Sequence, residues 1–389
     1  MDTPRGVAAQ AERSANQVAC LRFLADAADT ANAADALTVG AISAGTGLSR
    51  PTVHAVLDDL TEAGLVEPTE PSTAGPGRPA RAFRFAREAG LVAGVDLGPR
   101  GVRAIICDLS GRRVAYTELR QDPSPELIQR AVHAAADKCA IDLGRLRAIG
   151  VALPGVIEPN GYLRASLALP ELVDLPIADV VAADLGKPVA VDNDIKLAAL
   201  AEQRVGAGSG YSDVVYLQIG QRLSVSIVLN GVIRQGRHRL AGELGAQRGM
   251  RWTRNAQRGQ LVWASHPTGE AVLTAAANGD AGAQAEIEDF CAQIAARIAT
   301  VLLTVDPEVV VVRGGLAQDS GVLLRPLVAA VEKELVFPER PPFVASALGR
   351  EAVVLGAVGN AFDRFGSDIY GVKDYPSPWH RITHDHLPH

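Results

Sequence analysis

Between Leu37 and Leu60 the chain runs an apolar helical pattern, stops it at a glycine and starts another within three residues. Few folds accommodate that spacing. Leu37 to Gly47 reads as a short helix closed by Gly47. Ser49 is a good N-cap, because its hydroxyl accepts from a backbone N–H of the first turn, and Pro51 sits where a missing N–H costs nothing. Val53, Val56, Leu57 and Leu60 recur at helical spacing as one apolar face, and Gly64 ends the second helix. Helix, tight turn, helix is the pattern whose second member enters the major groove, its N-terminal residues meeting base edges. Those residues are Ser49, Arg50, Thr52, Val53 and His54: hydroxyls, a guanidinium, an imidazole and a methyl surface suited to thymine.

Downstream, Leu65-Val66-Glu67 and Arg81-Ala82-Phe83-Arg84-Phe85 read as two short strands around a turn that ends Gly75-Pro76-Gly77-Arg78-Pro79. That makes a wing. Arg78 at its tip is placed to enter a narrow minor groove, and Arg81, Arg84 and Arg87 to meet phosphates. The competing reading is a helical hairpin that only packs. It draws support from charge, since residues 16–90 carry six arginines against nine acids. Four of those arginines fall between positions 78 and 87, so the positive charge is placed rather than averaged, and DNA binding is the stronger reading.

The pattern changes after this segment. Residues 1–15 read as a flexible arm, 16–88 as the winged helix-turn-helix, 89–372 as a larger body and 373–389 as an irregular tail. Asn16–Ala28 is an apolar-periodic helix that backs the pair. In the body, strands alternate with helices: strands at Leu91–Asp96, Val102–Asp108, Ala148–Ala152, Val189–Val191, Val214–Ile219, Val225–Leu229 and Val309–Val312, helices at Pro125–Cys139, Ile195–Gly206, Ala281–Val305 and Gly356–Phe365. That alternation predicts an α/β body. A net charge of −6 argues against general coating of nucleic acid, so any DNA contact is local. No apolar run is long enough to span a membrane and no secretory signal is visible, so a cytoplasmic protein is expected. Cys20, Cys107, Cys139 and Cys291 are scattered and form no Cys-x-x-Cys pair, which predicts neither a disulfide framework nor a cysteine zinc site. His380, His384, His386 and His389 read as tail rather than metal ligands.

Four stretches of the body, in order, resemble the ROK family (repressors, open reading frames and sugar kinases), and the winged head resembles that of its regulator branch. They are Gly94-Val95-Asp96-Leu97-Gly98, a first phosphate loop; Val191-Asp192-Asn193-Asp194 with the following Leu197-Ala198-Ala199-Leu200-Ala201-Glu202, a sugar-site Asn-Asp and its helix; Ala241-Gly242-Glu243-Leu244-Gly245, a second sugar-contacting segment; and Pro307 to Leu316 around Gly314-Gly315, an adenosine-side strand and loop. The resemblance covers about residues 16–370. It implies a winged helix-turn-helix followed by a two-lobed actin-like (RNase H-like) ATPase-fold body. It also implies that Asn193 and Glu243 bind sugar hydroxyls and that Asp194 stands where the kinases keep a general base.

The departures bear on function. Where the resemblance implies a second glycine and a threonine, this chain has Pro99 and Arg100; where it implies a glycine-rich second phosphate loop, this chain has Gly220-Gln221-Arg222-Leu223-Ser224-Val225-Ser226. Phosphate loops use glycine so that backbone N–H groups can approach the oxygens, and these side chains occupy that space. A zinc site is also implied, from a histidine and a cysteine cluster; here the histidine position is Ala246 and Gln247–Gln260 contains no cysteine. Arg237, His238 and Arg239 precede Glu243 and read as a solvated basic loop rather than an anion site. No cofactor, metal or catalytic residue is expected. The reading is a regulator, a repressor, binding an inverted-repeat operator in double-stranded DNA as a homodimer or dimer of dimers, with a sugar or related effector at Asn193, Asp194 and Glu243. The alternatives are a carbohydrate kinase with a DNA-binding head and a constitutive DNA-binding dimer without a ligand.

Overall fold

The computed structural model describes residues 4–28, 36–69, 81–220, 222–246, 261–314, 321–337 and 339–382. The head opens with helix α1 (Pro4–Ala27), followed by strand β1 (Leu37–Thr38), α2 (Val39–Thr46), α3 (Arg50–Glu62), β2 (Val66–Thr69) and β3 (Ala82–Phe85). β3 is the middle strand, antiparallel to both neighbours. Thr38 caps α2 by accepting from the Ala41 N–H, so the predicted helix begins two residues after Leu37, and the first two residues are strand instead. Gly47 ends α2 in the left-handed region, with φ of 74°. Ser49 caps α3 through the Thr52 N–H. Leu21, Leu24, Ile42, Val53, Leu57, Leu60, Leu65 and Phe83 close the core between α1, the helix pair and the wing strands.

The expected flexible arm at 1–15 is corrected from residue 4 onward, where the chain is helical. The alanines of that stretch favour helix, and Arg13 is fixed to Asp59 on α3 at 2.6 Å, with Gln17 adding a hydrogen bond at 3.3 Å. The wing tip at 70–80, including Arg78, lies outside the described residues.

The body contains two sheets of one design. In the first lobe, β4 (Leu91–Gly98), β5 (Gly101–Asp108) and β6 (Arg113–Leu119) form an antiparallel meander. Helix α4 (Pro125–Lys138) then leads to β7 (Leu146–Leu153). The small hairpin of β8 (Val156–Ile157) and β9 (Leu163–Ala165) and helix α5 (Ile177–Leu185) lead to β10 (Val189–Asn193). β7 is parallel to β4, and β10 is parallel to β7. Helix α6 (Asp194–Val205) crosses to the second lobe. There β11 (Val214–Ile219), β12 (Leu223–Leu229) and β13 (Val232–Ile233) repeat the meander. After α7 (Gly269–Ala277) and α8 (Ala281–Val305) come β14 (Val309–Arg313), α9 (Leu324–Glu334) and β15 (Phe343–Ala345). The two orders, β6-β5-β4-β7-β10 and β13-β12-β11-β14-β15, match strand for strand.

Helix α10 (Ala352–Tyr370) returns to the first lobe and lies on β4, β7 and α6. Gly150 permits this, since a Cβ there would meet the Ala357 carbonyl oxygen at 1.8 Å. Glu202 of α6, 1% exposed, accepts from the N–H groups of Ala207, Ala347 and Leu348 and from the Ser346 hydroxyl. It thereby ties the inter-lobe helix to the segment entering α10. The fully irregular tail is a second correction, because α11 (Trp379–Ile382) is a helical turn with Trp379 and Ile382 buried. Trp379 donates to Asp363, Arg381 pairs with Asp26 of α1 at 2.8 Å, and the Ser14 hydroxyl donates to the Lys373 carbonyl at 3.1 Å. Head and body therefore share one apolar cluster, running from Leu24 and Leu57 to Tyr370 and Ile382. Among the described residues no helix is long and apolar enough to cross a membrane.

Candidate DNA-reading face and effector cleft

The first turns of α3 present Ser49, Arg50, His54 and Ala55 to solvent, with Thr52 half-buried. Arg50 and His54 are one turn apart, so both stand on one face. Ser49 and Thr52 also bond each other through their hydroxyls at 2.8 Å. Val53 is a correction: it is 0% exposed and belongs to the head core, so its methyls are unavailable to a base. The helical period that makes Val53 apolar-periodic with Val56 and Leu60 is the same period that turns it inward. Asp58, also exposed and one turn beyond His54, went unnoticed in the sequence.

The wing arginines divide. Arg81 is exposed, its guanidinium 5.4 Å from the centroid of the Phe83 ring. Arg84 is paired with Glu67 across the β2–β3 ladder at 2.7 Å. Arg87 starts a 3-10 turn where head meets body; its carbonyl accepts from Leu109, and its charge acts on buried Asp108. It therefore belongs to the joint.

Between the lobes lies a cavity of about 770 Å³ lined by Asp96, Asn193, Asp194, Glu243, Arg222 and Arg313, among others. The volume is within the range of small-molecule sites. Asp194 opens α6 and accepts from the Ile195 N–H at 2.8 Å. Burial raises its pKa first, and the Asp96 carboxylate raises it further; the Ile195 N–H, Arg313 and Arg222 oppose both. Glu243 is raised by burial and by Asp194, with Lys196 opposing. Gly242 holds Glu243 in place: its φ is +87°, and a Cβ would meet the Val225 carbonyl oxygen at 2.0 Å. Carboxylates whose protonated form is favoured in this way can give as well as accept a hydrogen bond, which suits a hydroxylated ligand.

Asn193 lines the same cavity but is 3% exposed and already engaged. Its carbonyl oxygen accepts from the Lys196 N–H at 3.1 Å, and its amide donates to the Gly155 carbonyl at 2.9 Å. It caps α6 and so aims Asp194, a task the expected sugar contact leaves out. Of the basic loop, Arg239 is fixed, donating to the Ile157 carbonyl at 2.7 Å and pairing with Asp192 at 3.4 Å. Asp96, Arg103, Gln218 and Arg313 are not among the expected site residues; Asp96 and Arg103 face each other across β4–β5, Gln218 and Arg313 across β11–β14, and the two pairs line one cavity. Arg103 pairs with Asp96 at 2.5 Å and donates to the Arg350 carbonyl. Arg313 donates to Gln218 and to the Gly349 carbonyl.

The two turns that resemble phosphate loops also face this cavity. Gly98 pairs with Gly101, leaving Pro99 and Arg100 as a two-residue turn; Ile219 pairs with Leu223, leaving 220–222. Pro99 has no N–H to offer, and the Gly220 N–H is taken by the Arg222 carbonyl at 3.1 Å. Among the described residues no group of three or more His, Cys, Asp or Glu side chains is placed to hold a metal ion. Gln247–Gln260, on which the zinc expectation rests, lies outside them.

A winged helix carrying an exposed polar reading helix, joined to two repeated lobes around a carboxylate-bearing cleft, defines an actin-like body with a DNA-binding-type head. The family model of the ROK family matches residues 92–260 and 248–362, and that of the MarR family matches residues 13–75. The chain belongs to the ROK family. It is similar to the bifunctional enzyme NanE/NanK of Brucella suis biovar 1, 28% identical over 349 residues, 86% of this chain and 61% of that protein; the chain thus spans about three fifths of that relative's length. It is also similar to the xylose repressor of Bacillus subtilis, 22% identical over 356 residues, 82% of this chain and 89% of that one. A solved ROK family transcriptional regulator, a homolog of the E. coli MLC protein, superposes with a TM-score of 0.63 over 95% of this chain and 98% of its own; at 20% identity it supports the fold.

Proposed function

We propose that this chain is a DNA-binding transcriptional regulator, a repressor, whose cleft binds a sugar or related small effector without phosphorylating it. The observation that carries the reading is the pairing of an exposed Arg50–His54 face with a cleft that keeps Asp194 and Glu243 while Pro99 and the Gly220–Arg222 contact remove phosphate-loop N–H groups. Ser49, Arg50, Thr52, His54, Arg78 and Arg81 make the DNA contacts; Asp194 and Glu243 make the effector contacts. The repressor role draws support from the xylose repressor relative, and a homodimer reading an inverted repeat is part of the proposal. An effector must bind the two DNA-affinity states unequally to switch them. The direct contacts between α1 and the α11 segment give lobe movement a path to the head.

The test is selection of bound DNA fragments, followed by operator affinity with and without a panel of sugars and sugar derivatives. Wild type should respond to one member of the panel, and Asp194→Ala and Glu243→Ala should lose that response. If both variants respond as wild type does, the cleft is not the sensor and a constitutive DNA-binding dimer is the better account. A second reading, a carbohydrate kinase with a DNA-binding head, is favoured by Asp194 in the general-base position and by the Brucella enzyme relative. It requires sugar-dependent turnover of Mg-ATP that disappears in Asp194→Asn.

A further inference from the structure

The loop between β13 and Gly242 belongs to one lobe by sequence and to the other by its bonds. It leaves β13 at Ile233 and returns to the second-lobe sheet where the Val225 N–H donates to the Gly242 carbonyl at 3.2 Å. In between it reaches over to the first lobe. The Gln235 amide donates to Asp192 on β10 at 3.1 Å, and the His238 carbonyl accepts from Arg164 on β9 at 2.5 Å. The Arg239 guanidinium donates to the Ile157 carbonyl on β8 at 2.7 Å and to Asp192 at 3.4 Å, while its own carbonyl accepts from Lys196, in the first turn of α6, at 3.3 Å. Arg237, His238 and Leu240 around it are exposed, but the Arg239 side chain is turned under, against Asp192. Its backbone is also unusual. Arg239 has a φ of +61°, in the left-handed region that favours glycine. A non-glycine residue stays there only where its surroundings fix it, and such residues gather at clamps and switches.

We infer that Arg239 is a latch: bound to Asp192 and the Ile157 carbonyl, it holds the 234–243 loop of the second lobe onto the first and so positions Glu243 in the cleft relative to Asp194. This rests on Asp194 and Glu243 being the effector contacts, as proposed above, and names the residue that keeps them in register. The two ends of the latch lie close in sequence to the two carboxyls. Asp192 is two residues before Asp194 and also accepts from the N–H of Asn193, the residue that caps α6. Arg239 is four residues before Glu243, and a turn in which the Glu243 N–H donates to the Leu240 carbonyl at 3.2 Å joins them. Fastening Arg239 to Asp192 therefore fixes one carboxyl relative to the other. The loop has a force to resist, because Asp194 disfavours the ionised form of Glu243 and the two repel when both are charged. Lys196 opposes that repulsion at Glu243 and bonds the latch residue itself. Arginine suits the task, since its planar fork sends donors in fixed directions, here one to a carbonyl and one to a carboxylate, whereas lysine offers a single nitrogen on a flexible stem.

The experiment is hydrogen–deuterium exchange of the full-length, ligand-free protein, comparing wild type with Arg239→Asn, Arg239→Lys, Asp192→Asn and the variant carrying both asparagine changes. Asparagine tolerates the left-handed backbone, so it removes the guanidinium without adding strain or a glycine's freedom. Amides of residues 235–243 should exchange roughly tenfold faster in Arg239→Asn, as expected for loss of a charged hydrogen bond. Arg239→Lys should recover part of the protection, and the double variant should exchange no faster than the faster single one. Helix α3 and the strands of both sheets should exchange as in wild type. Loop exchange unchanged in Arg239→Asn, or raised as much in Arg239→Lys, overturns the latch. Faster exchange throughout the body would make Arg239 a residue of general stability and overturns it too. The positioning of Glu243 is read separately, by operator affinity with a panel of free hexoses, pentoses and N-acetylhexosamines. The sugar concentration that shifts operator affinity should rise roughly tenfold in Arg239→Asn, with sugar-free operator affinity unchanged. An unaltered sugar response beside a loosened loop overturns the positioning of Glu243 by the latch. If no sugar shifts the wild type, the sensor reading fails, and loop exchange still decides the latch.

Discussion

The reading face of α3 and the cleft of the body use the same side-chain chemistry in opposite ways. Arg50 and His54 stand exposed on a helix end. Arg103 and Arg313 are half-buried and bound within the protein, one to Asp96 and the Arg350 carbonyl, the other to Gln218 and the Gly349 carbonyl. A polyanion as large as DNA brings its own countercharge, so the protein need only present cations on a rigid support. In a cleft, charges sit at half-buried positions where an unmatched charge is costly, and Arg103 is matched there by Asp96. Identical substitutions in the two places should therefore fail differently.

The largest difference is expected in stability. Arg313→Ala removes a half-buried cation together with its hydrogen bonds to Gln218 and the Gly349 carbonyl, and the loss should be about 3 kcal/mol or more, since each hydrogen bond made by a charged group contributes about 1.5–3 kcal/mol. Arg50→Ala removes a solvated side chain and should leave chemical denaturation within about 0.5 kcal/mol of wild type. Equal destabilisation by both would erase the distinction between compensated and presented charge.

Operator affinity should reverse that ranking, with a smaller magnitude. Arg50→Ala should weaken binding by roughly 1–3 kcal/mol and relax preference at particular base pairs. Val53 sharpens the point. Two residues of equal standing in the sequence, Thr52 and Val53, part company in the fold, Thr52 half-buried and Val53 fully buried. Val53→Ala should destabilise the head core by about 1–3 kcal/mol, seen as a lower melting temperature, with base preference in fluorescence anisotropy unchanged. A changed base preference in that variant would return Val53 to the reading surface.

The same contrast explains what the sequence made legible. Helix caps, apolar periodicity and strand alternation are local, so Ser49, β11 and α8 could be read with little error: Val214–Ile219 and Ala281–Val305 are each strand and helix as expected. Asp194 and Glu243 were visible because they sit in short stretches resembling a family. Asp96 and Arg313 sit in such stretches too, but their pairing with Arg103 and Gln218 is not legible there, since each partner lies across a β-ladder. The arm and tail were misread for a related reason. Pro4–Ala27 is only weakly amphipathic as a whole, and the Arg13–Asp59 and Arg381–Asp26 pairs join residues dozens to hundreds of positions apart. Asn193, expected as a sugar contact, caps α6 by accepting from the Lys196 N–H, while its amide donates to the Gly155 carbonyl.

The smallest expected effect concerns the cost of keeping the cleft charged while empty. The folded-state pKa of Asp194 is raised above its ordinary value of 3.8 by burial and by Asp96, against the opposing pull of the Ile195 N–H, Arg313 and Arg222; Glu243 is raised in turn by burial and Asp194. A carboxyl with a raised folded-state pKa contributes stability that is fully present below the unfolded value and is lost as pH rises through the folded one. Asp194→Asn cannot ionise and escapes that loss. Wild type and Asp194→Asn should therefore be equally stable in acid, near and below the ordinary carboxylate range. The variant should become the more stable as pH rises above it, by an amount that levels off once Asp194 is ionised in the folded protein. Denaturant titrations across that pH range measure the difference directly. A gap that opens toward acid instead would mean that Arg313 and Arg222 outweigh burial at Asp194, and that the empty cleft holds its carboxylate as firmly ionised as the Arg13–Asp59 pair holds Asp59, whose pKa is lowered by Arg13.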